Sequence, residues 1–258
     1  MRMKRIGWFC VAFAFFASAA WAGSFKVLIL VGDARSGESA ALQANTKVGP
    51  HTFSFEEVVI EGGTFDGDFR GADIVWFPWN GPGHDGNYFM DGSEEAFVQW
   101  VEEGHGVWIS AFDDNYRDPN GDQVGSWMPI DKHPITVMNT GDSDVDITAE
   151  GEASGLFSDP NNVDMNAITL DDNFANLDSD WVILATRADN KQPAATYLPW
   201  GKGIYLEVCI DTRDAARLAA AEPLLPNGLL FLANYLEEAR AVDPAGKLAT
   251  TWGDVKTR

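Results

Sequence analysis

Three side chains that could exchange protons with a small molecule fall in two loops of this sequence. His84 lies in a Gly-rich stretch at residues 80–89, and Asp113 and Asp114 follow an apolar run. Imidazole and carboxylate groups act as general acids and bases when they reach the reacting atoms. We therefore predict His84, Asp113 and Asp114 as the catalytic candidates, provided that the two loops meet. The alternative is a Gly-rich loop with an incidental histidine.

A second set of residues around these loops has the chemistry of sugar recognition. Flat aromatic rings beside carboxylates and amides offer a sugar both apolar stacking and hydrogen bonds. The predicted ligand-binding residues are Trp79, Asn80, Asp85, Tyr88, Asn115, Tyr116, Trp127 and His133. Two competing interpretations stay open: the rings close the core under long loops, and His133, which precedes Pro134, belongs to a structural turn.

The segment from Asp113 to Asp122 is the best candidate for a cation site. Its oxygen-bearing side chains at alternate positions suit calcium, although Gly121 comes too early for an EF-hand and no glutamate closes the loop. Asp, Asn, Pro and Gly are also the usual turn formers. A plain turn is therefore favoured, and we predict no metal or cofactor, with calcium as the alternative.

The two candidate loops follow the strands of a predicted strand–helix–strand unit. Residues 72–78 and 106–112 are short apolar runs, and residues 93–103 space their apolar side chains at helical intervals. A helical crossover of this kind joins parallel strands. Because ligands bind at the carboxyl ends of strands in open α/β sheets, both loops should overhang one binding edge.

The rest of the chain extends this unit into a doubly wound α/β domain with a mostly parallel sheet. Further strands are predicted at residues 25–33, 53–60, 135–138, 145–147, 181–186, 194–198 and 201–210. Helices are predicted at residues 36–47 and 226–241, with one helical turn at 153–157. The last two strands are separated by only a few residues, which predicts a late antiparallel hairpin.

Three other reactive side chains receive structural roles. His51 precedes a predicted strand and is expected in a surface loop. His105 lies between two glycines at a helix end, where an imidazole can meet free carbonyls. Cys209 lies in an apolar strand pattern, which predicts a buried and inert thiol.

The first 22 residues predict export to the periplasm or the extracellular space. A basic cluster precedes an apolar run that ends in Ala20-Trp21-Ala22, the form of a signal-peptidase site, so the mature chain should begin at Gly23. The run is too short to favour spanning a bilayer. We predict a signal peptide at 1–22, one domain at 23–242 and a tail at 243–258.

The charge balance excludes several classes of partner. The 258 residues contain 39 acidic and 18 basic side chains, for a formal net charge of −21. Such a surface repels nucleic acid and anionic lipid. We therefore expect a small-molecule partner, with no nucleic acid and, after signal cleavage, no membrane.

Seven segments between residues 25 and 240 occur in a familiar order. They read FKVLILVGD, GADIVWFPWN, VEEGHG, VWISAF, KHPIT, ATYLPWGKGIYLEV and LPNGLLFLANYL. Their order resembles the class I glutamine amidotransferase-like fold, which is flavodoxin-like, and within it the ThuA-like (trehalose-utilisation-like) proteins. The resemblance implies a doubly wound sheet with a late hairpin and, loosely, a role in sugar metabolism.

The same resemblance argues against amidotransferase chemistry. Amidotransferases carry a cysteine on a sharp, glycine-flanked turn after a strand and supply a His–Glu pair later. The corresponding turn here, residues 110–114, reads SAFDD and has neither that cysteine nor the histidine that ThuA-like proteins often place nearby. Ser110 also lacks the flanking glycines of a nucleophile elbow. Glutamine hydrolysis is therefore not expected.

Two functions remain open at the level of sequence. The first is an exported ThuA-like domain that binds a small polar ligand, a carbohydrate, at the carboxyl edge of the sheet, with or without acting on it. The second is a non-catalytic binding or interaction module that kept the fold and lost the active centre. The sequence does not decide whether the protein is an enzyme.

Overall fold

A nine-stranded mixed sheet forms the centre of the described structure. The computed structural model describes residues 22–31, 37–60, 65–79, 94–110, 128–129, 132–133, 135–138 and 144–242. The strands are β1 (Ser24–Val31), β2 (Lys47–Val48), β3 (His51–Val59), β4 (Ile74–Phe77), β5 (Gly106–Ile109), β6 (Thr136–Met138), β7 (Val145–Ile147), β8 (Asn173–Ala175), β9 (Val182–Arg187), β10 (Pro193–Trp200) and β11 (Gly203–Glu207). Strands β6 and β8 form a separate antiparallel pair.

The order of the large sheet is β2-β3-β1-β4-β5-β11-β10-β9-β7. Strands β3, β1, β4, β5 and β11 are parallel, whereas β10, β9 and β7 continue the sheet in antiparallel pairs. The predicted doubly wound, mostly parallel fold is therefore confirmed, and so is the late hairpin, formed by β10 and β11.

Helices cover both faces of the parallel strands. They are α1 (Gly37–Gln43), α2 (Glu94–Glu102), α3 (Ala149–Ser154), α4 (Ala215–Ala221) and α5 (Leu224–Val242). The side chains of β1 alternate between two cores: Val27 and Ile29 pack with residues of α5, while Leu28 packs with residues of α2. Burial on both faces explains why β1 is a continuous apolar run.

One glycine fixes how closely α5 lies on the sheet. A Cβ atom at Gly228 would come within 2.4 Å of the Trp108 indole, which lies in the middle of β5 and is fully buried. Only glycine permits that approach, so α5 lies directly against the central strands. Among the described residues, no helix has both the length and the apolar character needed to cross a bilayer.

Several local predictions are refined by the structure. Helix α1 ends at Gln43, earlier than predicted, and is followed by the short hairpin of β2 and β3. The predicted capping role of His105 is confirmed, because its Nδ1 lies 2.6 Å from the carbonyl oxygen of Trp100. Cys209 is buried, as expected.

The prediction of a surface loop for His51 is wrong. His51 begins β3 and is 1% exposed. Its Nδ1 accepts the backbone N–H of Gly23 at 3.0 Å, and its Nε2 lies 3.0 Å from Oδ1 of Asn234 on α5. The imidazole therefore ties the start of the sheet to the closing helix.

Candidate functional site

The carboxyl ends of β4 and β5 lie side by side, as the strand–helix–strand unit predicts. Phe77 is paired with Ile109, and the N–H of Ser110 donates to the carbonyl of Phe77 at 2.8 Å. Most of the predicted site lies beyond these strand ends, outside the described residues: His84, Asp113, Asp114, Asn80, Asp85, Tyr88, Asn115, Tyr116 and Trp127. Two predicted ligand-binding residues, Trp79 and His133, are described.

Trp79 stands at the carboxyl end of β4, where it contacts Glu38, Asp171 and Arg213. Its backbone N–H donates to Oε2 of Glu38 at 2.9 Å, and its indole Nε1 donates to Oδ2 of Asp171 at 2.9 Å. The guanidinium of Arg213 lies 5.2 Å from the ring centroid, within the range of a cation–π contact. The indole thus contacts a carboxylate through its N–H and a cation through its ring.

Glu38 is the most unusual group at this edge. It lies in the first turn of α1, after β1, and is 0% exposed. Its Oε2 accepts from Trp79 N–H and from the hydroxyl of Thr212 at 2.8 Å. Burial raises the pKa of Glu38 to about 8, because these two hydrogen bonds offset only part of the desolvation.

The second oxygen of Glu38 has no partner among the residues that the structure describes. Oε1 is buried and makes no hydrogen bond with any described residue. Because Oε2 already accepts two donors, the proton of the neutral acid belongs on Oε1. The group is therefore a buried O–H donor at the sheet edge, in need of an acceptor.

Charged residues that follow β11 lie near Glu38. Asp211 is buried and pairs with Arg213, whose Nη2 lies 2.6 Å from Oδ2, and with Nη1 of Arg217. Asp171 reaches the same edge because its chain runs antiparallel to the continuation of β11: its N–H donates to the carbonyl of Cys209 at 3.0 Å. We name Glu38, Trp79, Asp171, Asp211, Thr212 and Arg213 the edge cluster.

A second buried carboxyl lies beneath the edge cluster. Burial raises the pKa of Glu207, the last residue of β11, to about 8, although the hydroxyl of Thr196 donates to its Oε2 at 3.0 Å and Arg187 attracts it. Arg187 is itself fully buried and donates from Nη2 to the carbonyl of Asp171 at 2.6 Å. This polar layer fixes the backbone that presents Asp171.

Ser110 is not placed as a nucleophile. Its side chain is 0% exposed, and its Oγ accepts the indole N–H of Trp76 at 2.7 Å. The hydroxyl therefore faces the core that contains α5 rather than the binding edge, and Ser110 serves to satisfy a buried indole.

His133 lies at the other end of the parallel strands. Its ring meets the Trp200 ring edge-on at 5.8 Å, and Trp200 pairs with Gly203, the first residue of β11. Its Nδ1 donates to Oδ2 of Asp178 at 2.8 Å. The structure therefore does not bring His133 together with Trp79.

A shallow groove on another part of the surface also carries side chains of the types that bind sugars. It encloses about 420 Å³ between α3, the β9–β10 pair and α5. Its walls include Glu150, Tyr197, Phe231, Tyr235 and Glu238. It contains none of the predicted site residues. The groove is therefore the alternative location for a sugar against which the edge cluster can be tested.

Sequence reasoning missed five members of the edge cluster: Glu38, Asp171, Asp211, Thr212 and Arg213. A signal existed for the last three, since they follow the apolar run of β11 just as Asp113 follows that of β5. Glu38 carried no such signal, because it lay inside a predicted helix, and its burial depends on three strand ends meeting around it.

Solved structures with the same fold identify the architecture. A protein of Thermoplasma acidophilum, provisionally assigned as a GMP synthase component, superposes with a TM-score of 0.52 at 12% identity, covering 84% of this chain and 98% of that one. The fold is that of the class I glutamine amidotransferase-like proteins. The sequence-based prediction of that fold is therefore confirmed.

Two further structures extend the comparison. The carbohydrate deacetylase Agd3 gives a TM-score of 0.51 at 12% identity over 82% of this chain, which spans 33% of that protein. A ThuA-like protein of Parabacteroides merdae gives 0.49 at 13% identity, covering 81% of this chain and 90% of that one. At such identities the likeness extends to the fold alone. The chain matches no protein-family model and no curated protein sequence.

Proposed function

We propose that this protein is an exported binding domain that holds a small polar ligand, a carbohydrate, at the edge cluster, and that it has no glutamine amidotransferase activity. The observation that carries the proposal is the buried Oε1 of Glu38 at the carboxyl edge of the sheet, which no described residue pairs with. Leaving such a group without a partner costs about 1–3 kcal/mol, which a ligand hydroxyl would recover.

The neighbours of Glu38 supply the other contacts that a sugar requires. Arg213, with half of its side chain exposed, offers donors, and Asp171 offers a carboxylate beside the ring of Trp79. A neutral carboxyl can donate to one hydroxyl oxygen while its neighbours accept from the next. This combination of ring, donors and acceptors matches the alternating polar and apolar surface of a pyranose.

The charges of the edge cluster favour a neutral ligand over an anionic one. Asp211 pairs with both Arg213 and Arg217, and Asp214 also pairs with Arg217, so two carboxylates compensate the two positive charges. The net charge of the chain, −21, adds a general repulsion of anions. A polyhydroxylated, uncharged molecule is therefore the best match.

Two features speak against amidotransferase chemistry. The turn after β5 contains no cysteine, and Ser110, the nearest hydroxyl, is buried against Trp76. Cys209 is buried in the continuation of β11, where a thiolate would be desolvated. A binding role requires no nucleophile and is compatible with both features.

Acid catalysis on the bound ligand is the second candidate function. A carboxyl group that keeps its proton near neutral pH can act as a general acid, and the pKa of Glu38 is about 8. This candidate predicts that a bound glycoside is turned over and that the rate falls as pH rises through 8. Simple binding predicts no turnover at any pH.

Calorimetric titration of the mature chain with neutral mono- and disaccharides tests the binding proposal. Arg213→Gln, at a half-exposed side chain, should weaken binding at least tenfold. Arg70→Gln, which removes an exposed ion pair with Glu56, is the matched control and should leave it unchanged. Tyr235→Ala tests the groove at α5.

Two results would overturn the edge-cluster proposal. One is the absence of binding to any sugar of the panel. The other is binding that survives Arg213→Gln but is lost in Tyr235→Ala, which would transfer the ligand to the groove.

A further inference from the structure

We propose that His133, Asp178 and Asp180 form a binding site for a divalent transition-metal ion, with zinc the best match, near the amino ends of the parallel strands. The site is separate from the edge cluster and does not depend on the proposed sugar binding. No other group of this kind is found among the residues that the structure describes.

The three ligand atoms are close enough to share one ion. His133 Nδ1 lies 2.8 Å from Oδ2 of Asp178 and 3.8 Å from Oδ2 of Asp180, and all three atoms lie within 4.8 Å of one another. Zinc bonds of about 2.0–2.1 Å in a tetrahedron separate neighbouring ligand atoms by roughly 3.3 Å. The observed distances lie on either side of that value, so small side-chain rotations suffice.

The surrounding structure holds two of the ligands in place. The N–H groups of Lys132 and His133 both donate to the carbonyl of Pro129, which fixes the turn that carries the imidazole. Oδ1 of Asp178 accepts the N–H of Asp180 at 2.9 Å, which leaves Oδ2 to face His133. Hydrogen bonds from surrounding groups orient the ligands in this way at most metal sites.

The ligand set selects the metal. Calcium and magnesium prefer six or more oxygen ligands, whereas one imidazole with two carboxylates suits zinc. Asp180 is 68% exposed, so the ion can enter from solvent and water can complete the coordination. Lys132, whose Nζ lies 4.6 Å from the Trp200 ring centroid, is a neighbouring positive charge that should moderate the affinity.

The main competing explanation is a simple ion pair between His133 and Asp178. The two explanations differ at Asp180, whose carboxylate lies too far from Nδ1, at 3.8 Å, to be part of a hydrogen bond. A metal ion needs this third ligand, whereas the ion pair does not. Asp180→Asn is therefore the decisive variant.

The experiment is calorimetric titration of chelator-treated mature protein with zinc chloride. Wild type should bind one equivalent, and Asp180→Asn and His133→Gln should each weaken binding at least tenfold. Asp146→Asn, which removes an exposed carboxylate paired with Lys191, is the matched control and should bind as wild type does. Thermal unfolding of each variant without metal verifies that it is folded.

The absence of zinc binding to the wild type would overturn the proposal. Zinc binding that is unchanged by Asp180→Asn would also overturn it, because the ion would then be held elsewhere. Cobalt substitution gives an independent readout, since cobalt in a four-coordinate site absorbs intensely in the visible range. That absorption should disappear in His133→Gln.

Discussion

Replacing Glu38 by glutamine should remove a pH-dependent loss of stability. The pKa of Glu38 is raised from 4.5 to about 8 in the folded protein. Between these values the folded state keeps a proton that the unfolded state has released. Stability is therefore fully present below pH 4.5 and falls as pH rises, until the folded protein also ionises near pH 8.

The change in the free energy of unfolding follows from the pKa shift of Glu38. One proton of difference changes the free energy of unfolding by about 1.4 kcal/mol per pH unit, so the full range amounts to about 5 kcal/mol. Glutamine has the same shape, keeps an oxygen for Trp79 and Thr212, and does not titrate. The variant should equal wild type at pH 4.5 and exceed it by about 3 kcal/mol at pH 7.

Urea unfolding of the mature chain at half-unit steps from pH 4.5 to 9 measures this difference. Glu152→Gln, at an exposed position of α3, is the control and should give a curve parallel to that of wild type. Glu207→Gln should reproduce the behaviour of Glu38→Gln, because the pKa of Glu207 is also about 8. Parallel curves for wild type and Glu38→Gln would refute the neutral state of Glu38.

Two further substitutions test the packing that positions the site. Gly228→Ala should lower the free energy of unfolding by about 1–3 kcal/mol in urea titrations, because its Cβ would meet Trp108 at 2.4 Å. An unchanged midpoint would mean that α5 does not lie so close. His51→Ala should cost a similar amount, about 1–3 kcal/mol, since it empties a buried site and removes the hydrogen bonds of the imidazole with Gly23 and Asn234. Unaltered stability would contradict the burial of His51.

The elements that sequence reasoning predicted are those with strong local signals. Strand β1 is apolar on both faces, and the β10–β11 hairpin is marked by the Gly201–Gly203 turn. Helix α4 also had a signal that the prediction did not use. Asp214 precedes an Ala-rich segment and accepts the N–H groups of Ala216 and Arg217 as its N-cap.

The missed features depend on contacts between distant parts of the chain. His51 is hydrogen-bonded to Asn234, a residue 183 positions away, so no local pattern could have revealed its environment. Glu38 likewise owes its raised pKa to burial among segments that are distant in the sequence, since its partners Trp79 and Thr212 come from two other strand ends. His133 shared a predicted role with Trp79, but Trp200 and Asp178 hold it near the opposite end of the sheet.

Carbon-13 NMR of the glutamate carboxyls tests most directly whether the edge cluster is a ligand site. In the free mature protein, a resonance that is absent from Glu38→Gln should titrate with a pKa of about 8. Saturation with a sugar that the protein binds should move that resonance, because the ligand would take the hydrogen bond of Oε1. A Glu38 signal that titrates near 4.5, or one that stays in place while sugar binds, would contradict a binding role for this edge of the sheet.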